Sequence, residues 1–161
     1  GYFFEAYREN LFAGAGIDAR FIQDNESFST GGVLRGLHYQ IPPYTQAKLV
    51  RVVSGRVLDV VVDIRLGSPT FGKHVAIELS GESKRQLFLP RGMAHGFAVL
   101  SPEAVFVYKC DNFYCPASER CIRFDDPALG IDWRLPPETV KLSPRDRRGV
   151  LFKDAELFEE Y

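Results

Sequence analysis

Residues 48–64 read KLVRVVSGRVLDVVVDI, and this stretch decides the fold. The first run, 48–53, alternates polar with apolar residues and is rich in valine, a β-branched strand former. Ser54-Gly55 then marks a turn. The second run, 56–64, continues in the same style, with Asp59 and Asp63 set among its valines. Outward from here the pattern recurs. Residues 73–79 (KHVAIEL) alternate and end at Ser80-Gly81. Residues 85–89 (RQLFL) stop at Pro90, and residues 96–100 and 104–108 flank Ser101-Pro102-Glu103. Leu66-Gly67-Ser68-Pro69-Thr70 is a further turn cluster. Short strands at a spacing of roughly 8–12 residues, with turns between them, predict an all-β sandwich or barrel. Helical periodicity is convincing only over residues 5–13. Asp126-Pro127, Leu135-Pro136-Pro137 and Ser143-Pro144 predict loops with short helical turns toward the C-terminus. There is no internal repeat and no linker, so residues 1–161 read as one domain.

Composition narrows the classes. Twenty Lys and Arg against 21 Asp and Glu leave a net charge of −1, which argues against a nucleic-acid binder driven by bulk charge. Aromatic residues at 13% can bury enough area to make disorder a poor reading. No apolar run approaches the roughly 20 residues of a membrane helix, and no secretory signal is visible. Cys110, Cys115 and Cys121 are odd in number and fit no zinc spacing, so they read as reduced thiols of a cytoplasmic protein. The sequence opens Gly1-Tyr2-Phe3-Phe4 without a methionine, which reads as a missing leading segment.

Two histidines stand out. Pro90-Arg91-Gly92-Met93-Ala94-His95-Gly96-Phe97 sets Pro-x-Gly-x-x-His between two strand-like runs. This resembles the second half-motif of the cupins, double-stranded β-barrels whose histidine points inward. Metal-binding cupins have His-x-His and a later Glu as their first half-motif. Leu37-His38-Tyr39-Gln40-Ile41-Pro42-Pro43 lacks both the second His and the Glu. Two imidazoles make a poor metal site, since stable zinc or iron centres take three or four ligands. The expectation is a barrel that works without a metal.

Val33-Leu34-Arg35-Gly36-Leu37-His38-Tyr39-Gln40 resembles the (V/L)LRGLH(F/Y)Q motif of the dTDP-4-dehydrorhamnose 3,5-epimerase family. Gln46 to Val52, residues 57–65, Gly67-Ser68-Pro69-Thr70-Phe71-Gly72, Ala94-His95-Gly96-Phe97, Tyr108-Lys109, residues 126–133 and Leu142-Ser143-Pro144-Arg145-Asp146 follow in family order. The resemblance spans nearly the whole chain. It implies an all-β, cupin-type double-stranded β-barrel (jelly roll) with a few short helices. It also implies a cofactor-independent isomerase acting on a dTDP-linked 4-keto-6-deoxy sugar, as a homodimer. The family's pattern places a strand and an Asp-x-Arg segment before Gly1, so the domain is expected to lack that strand.

A C–H bond beside a ketone is a weak acid. Inverting such a carbon takes a base on one face, an acid on the other and a stabiliser for the enolate oxygen. By resemblance His38 is the base, Asp146 the carboxylate that orients it, Tyr108 the acid and Lys48 the group near the keto oxygen. Imidazole suits the first role because it titrates near neutrality, and a phenol stays protonated there. By the same resemblance Glu5, Gln23, Asp24, Asn25, Arg35, His95, Tyr114, Glu119 and Arg145 contact the substrate. Arg35 suits the diphosphate because its planar fork pairs with phosphate oxygens. Tyr114 matches the aromatic that stacks on thymine. Arg91 stands where the family commonly has Glu, near the expected mouth. The implied reaction is epimerisation at C3 and C5 of dTDP-4-dehydro-6-deoxy-D-glucose. Inversion at only one of these carbons, and a non-catalytic sugar-nucleotide-binding cupin, are the alternatives.

Overall fold

In the computed structural model, which describes residues 1–159, the chain does not turn back on itself at Ser54-Gly55. β3 (Lys48–Ser54) belongs to one sheet and β4 (Arg56–Asp63) to the other, so the glycine corner carries the chain between layers. The remaining strands are β1 (Gln23–Thr30), β2 (Leu34–Gln40), β5 (His74–Ser80), β6 (Gln86–Leu89), β7 (Met93–Val99), β8 (Glu103–Cys110) and β9 (Glu119–Cys121). They form antiparallel sheets ordered β1-β8-β3-β6 and β5-β4-β7-β2-β9. The interleaved order 1-8-3-6 over 5-4-7-2 is that of the eight-stranded jelly roll. The expected all-β cupin-type architecture is therefore present.

Alternation along each strand explains the layers. Val57 and Val61 of β4 face the other sheet, while Leu58, Val60 and Val62 face away from it. The inter-sheet core contains Val50, Val52, Val57, Leu79, Leu89, Phe97, Val99 and Phe106. Phe97 and Phe106 stack across it with ring centroids 4.4 Å apart. Each such buried ring contributes about 1.5–3 kcal/mol. A second core lies on the outer face of the larger sheet, where Leu34, Leu37, Leu58 and Val60 meet Ile122, Leu129 and Trp133.

The C-terminal third covers that outer face as loop with short 3-10 turns at Pro116–Ser118, Pro137–Thr139, Asp146–Arg148 and Phe152–Asp154. Isolated parallel bridges, Val33 to Lys141 and Ile122 to Val150, tie it down. Asp126 is buried and accepts the Ala128 and Phe152 amides, and the Trp133 indole N–H donates to the Phe124 carbonyl. This wrapping returns Asp146 to β2.

Two local expectations shift. The helix starts later than residue 5: α1 is Glu9–Gly14, after Arg8 in an extended conformation. The preceding residues lie against the smaller sheet instead, where Gln86 Nε2 donates to the Ala6 carbonyl at 2.6 Å. Arg91 is held by Asp111 at 2.8 Å, so its charge is paired.

Candidate active site

The two sheets part at one end around a cavity of about 330 Å³. This is the scale of a small-molecule site. Gln23, Asn25, Arg35, His38, Lys48, His95, Tyr108, Tyr114, Glu119 and Arg145 all line it.

A backbone irregularity puts two of these on one wall. A regular strand sends residues three apart to opposite faces. Pairing between β2 and β7 slips between Arg35 and His38, so both residues reach the cavity while Leu34 and Leu37 face the outer core. Gly36 sits in the slip with φ +119°, a conformation that side-chain-bearing residues rarely adopt. A Cβ there would lie 2.5 Å from Gly96 Cα. His38 and His95 are direct cross-strand partners.

His38 Nε2 lies 2.7 Å from Asp146 Oδ1. The carboxylate is itself held. Its Oδ1 accepts the Gly36 amide at 3.1 Å and its Oδ2 accepts the Ser143 hydroxyl at 2.6 Å. Burial pushes the Asp146 carboxyl up, but the His38 imidazole, the Ser143 hydroxyl and the Gly36 amide outweigh it and hold it at about 2. Asp146 is thus an anion beside His38 at neutral pH.

The facing wall belongs to the other sheet. On β8 and β3 the inward row places Tyr108 opposite Val50 and Cys110 opposite Lys48. Lys48 Nζ lies 5.6 Å from the centre of the Tyr108 ring. Burial raises the Tyr108 pKa, aided by Cys110 and Glu119, so its phenol is protonated at neutral pH. Burial lowers the Lys48 pKa against the pull of Cys110, Glu119 and Asp59, which makes its ammonium a readier proton donor.

At the mouth, Tyr114 Oη donates to Glu119 Oε2 at 2.9 Å, and Arg145 pairs with the same oxygen. The Tyr114 amide donates to Gln23 Oε1 at 3.0 Å, and Gln23 Nε2 donates to Asn25 Oδ1 at 3.2 Å. Arg35 donates to Ser29 Oγ through Nε and Nη2, at 3.2 and 3.1 Å.

Two expected residues lie elsewhere. Asp24 falls in the outward phase of β1 and pairs with Lys109 at 2.9 Å on the outer face. Glu5 is exposed and pairs with Arg8 at 2.8 Å. Neither lines this cavity of its own chain. Conversely, Asp59 was missed. It is fully buried, and its Oδ2 lies 2.9 Å from His95 Nε2. Its signal was an acidic residue in the inward phase of an apolar strand. Cys121, read from the sequence as a reduced thiol, lies directly across from His38 on β9 and outside the cavity lining.

Titratable side chains thus face one another across the seam of a cupin-type jelly roll. The family model for dTDP-4-dehydrorhamnose 3,5-epimerase matches residues 1–154. The dTDP-4-dehydrorhamnose 3,5-epimerase of Shigella flexneri is 54% identical over 98% of this chain and 87% of its own. The crystal structure of the Legionella pneumophila dTDP-6-deoxy-D-glucose-3,5-epimerase in complex with dTDP-4-keto-L-rhamnose is 53% identical. It covers 97% of this chain and 82% of that one, with a TM-score of 0.93. A 3'-monoepimerase from Streptomyces bikiniensis, in complex with dTDP-quinovose, is 39% identical over 92% of this chain and 75% of that one, with a TM-score of 0.83. The chain belongs to the dTDP-4-dehydrorhamnose 3,5-epimerase family.

Proposed function

We propose that the chain inverts C3 and C5 of dTDP-4-dehydro-6-deoxy-D-glucose, giving dTDP-4-dehydro-L-rhamnose. The observation that carries this reading is the placement of the His38–Asp146 pair and Tyr108 on facing sheets of one cavity. A keto-sugar ring lying between the sheets meets a base on one face and an acid on the other. His38 takes the proton from the carbon beside the ketone, and the Asp146 carboxylate stabilises the imidazolium that results. Negative charge moves to the keto oxygen, where Lys48 donates. Tyr108 then returns a proton from the opposite side. Asp59 holds the ring of His95 against the cavity, where it contacts the sugar.

Arg35 and Arg145 supply positive charge for the diphosphate, and the exposed Tyr114 ring supplies a stacking face for the base. The 54% and 53% identity to the Shigella flexneri and Legionella pneumophila 3,5-epimerases, against 39% to the monoepimerase, supports action at both carbons. Incubating the keto-sugar with the protein in deuterated water tests it by NMR. Label is expected at C3 and C5, and label at one carbon alone overturns double epimerisation. We also propose a homodimer, which the exposed Tyr2 and Phe3 rings support and light scattering checks. Cysteines without disulfides support a cytoplasmic setting.

A further inference from the structure

We propose that His38, Cys121 and Asp146 form an inhibitory site for a thiophilic divalent cation of the zinc type. One donor atom from each, the imidazole nitrogen, the thiol sulfur and a carboxylate oxygen, lies within 4.8 Å of the other two. Three separate pieces of chain bring them together. His38 is on β2, Cys121 is its direct cross-strand partner on β9, and Asp146 opens the 3-10 turn that packs against β2.

The donor set selects the cation. Sulfur, nitrogen and one carboxylate oxygen are the ligands of zinc and cobalt, whereas magnesium and calcium demand oxygen. Tetrahedral zinc holds such donors about 3.3–3.6 Å apart, given its usual bond lengths. The cluster reaches this by opening the 2.7 Å contact between His38 and Asp146 and drawing Cys121 inward. Asp146 already accepts the Gly36 amide and the Ser143 hydroxyl and keeps further lone pairs for a cation, while the other two donors are weakly engaged. His38 Nε2 is buried without a well-directed hydrogen bond, since the 2.7 Å contact to Asp146 lies off the line of an N–H. The Cys121 thiol makes only a long contact, 3.6 Å, to the Ile122 carbonyl.

His38 lines the cavity, which gives a cation its way in. Arg145 opposes a cation electrostatically, but it is ion-paired with Glu119. Three protein donors leave the fourth zinc position to water. On binding, the Cys121 thiol proton leaves to solvent as the metal–sulfur bond forms, with no change of oxidation state. With Nε2 bound to the metal, the neutral imidazole carries its proton on Nδ1, so neither nitrogen keeps a lone pair to accept the substrate's proton. The inhibitory effect rests on His38 being the base, whereas the binding does not.

Two readouts on the whole chain, kept reduced with a non-chelating phosphine, separate these claims. Cobalt(II) titration is expected to give a near-ultraviolet thiolate-to-metal charge-transfer band. That band should be absent from Cys121→Ala and Cys121→Ser, both of which retain Cys110 and Cys115. Zinc is expected to abolish deuterium exchange into the keto-sugar, reversibly with EDTA. Either variant should raise the half-inhibiting zinc concentration at least about tenfold with its metal-free rate near that of the parent. No band in the parent, or variants as zinc-sensitive as the parent, overturns the site. A band with exchange unaffected overturns the inhibition and removes His38 as the base.

Discussion

Replacing Asp146 by Asn tests the His38 pair most directly. The side chain is nearly isosteric, and its Oδ1 can still accept the Gly36 amide. What is lost is the charge facing His38 Nε2 at 2.7 Å and the acceptor for the Ser143 hydroxyl at 2.6 Å. The parent carboxyl, held at about 2, is fully ionised throughout an assay near neutral pH. Its charge matters most when His38 carries the substrate's proton. Once His38 is protonated its contact with the carboxylate is charge-assisted, of a kind that contributes about 1.5–3 kcal/mol. At 1.4 kcal/mol per decade, removing it at that moment slows proton abstraction about 10- to 150-fold. KM should move much less, because the charge acts on the proton-transfer step rather than on holding the keto-sugar. The assay is loss of the C3 and C5 proton signals in deuterated buffer, followed by NMR at saturating and limiting keto-sugar. Ser143→Ala is the companion. It removes the hydroxyl and leaves the charge, so its rate should fall by less than Asp146→Asn. An Asn variant that melts within a few degrees of the parent and exchanges within threefold of it would refute the role of Asp146.

Other consequences follow from the same geometry. Tyr108→Phe should leave the initial proton loss detectable yet cut formation of inverted product about 100-fold or more, and unchanged product formation by chromatography would remove Tyr108 as the acid. Gly36→Ala forces a Cβ 2.5 Å from Gly96 Cα at φ +119°. Strain of about 1–3 kcal/mol before any clash should lower the melting midpoint by roughly 2–12 °C, and a melt indistinguishable from the parent contradicts the slip described for β2. Asp63 is held below the usual carboxylate range by Arg65, then by Ser68 and Thr70, against its burial. The stability this confers is present above the ordinary carboxylate pKa and is lost as pH falls through the lowered one. Melting curves should therefore drop more steeply below about pH 4 in the parent than in Asp63→Asn, and parallel profiles would remove the effect.

Most of the barrel was legible because seven-residue stretches such as KHVAIEL alternate with period two, and an apolar inward face declares itself. β1 escaped that reading for a reason tied to function. Its inward residues, Gln23, Asn25, Ser27 and Ser29, are polar because three of them line a wet cavity, while Phe28 points outward with 58% exposure. The usual pattern is inverted, so the strand reads as a loop. Only the resemblance to a family picked out Gln23 and Asn25. Period two could still have removed Asp24 from that set, since it sits between two inward residues.

Pairings at long range were the least legible. His38 and Asp146 are 108 positions apart, and Asp59 and His95 are 36 apart. Nothing local links either pair. What joins them is the jelly-roll order itself, which sets β4 and β7 side by side, and the C-terminal wrap that returns the Asp146 turn to β2. The two pairs also differ in kind. Asp59 is fully buried with one carboxylate oxygen lacking a partner among the described residues, an arrangement that costs stability unless a ligand or water answers it. Asp146 has both oxygens engaged. The barrel thus keeps its doubly engaged carboxylate beside His38 and its half-satisfied one beside His95, behind the cavity wall rather than in it.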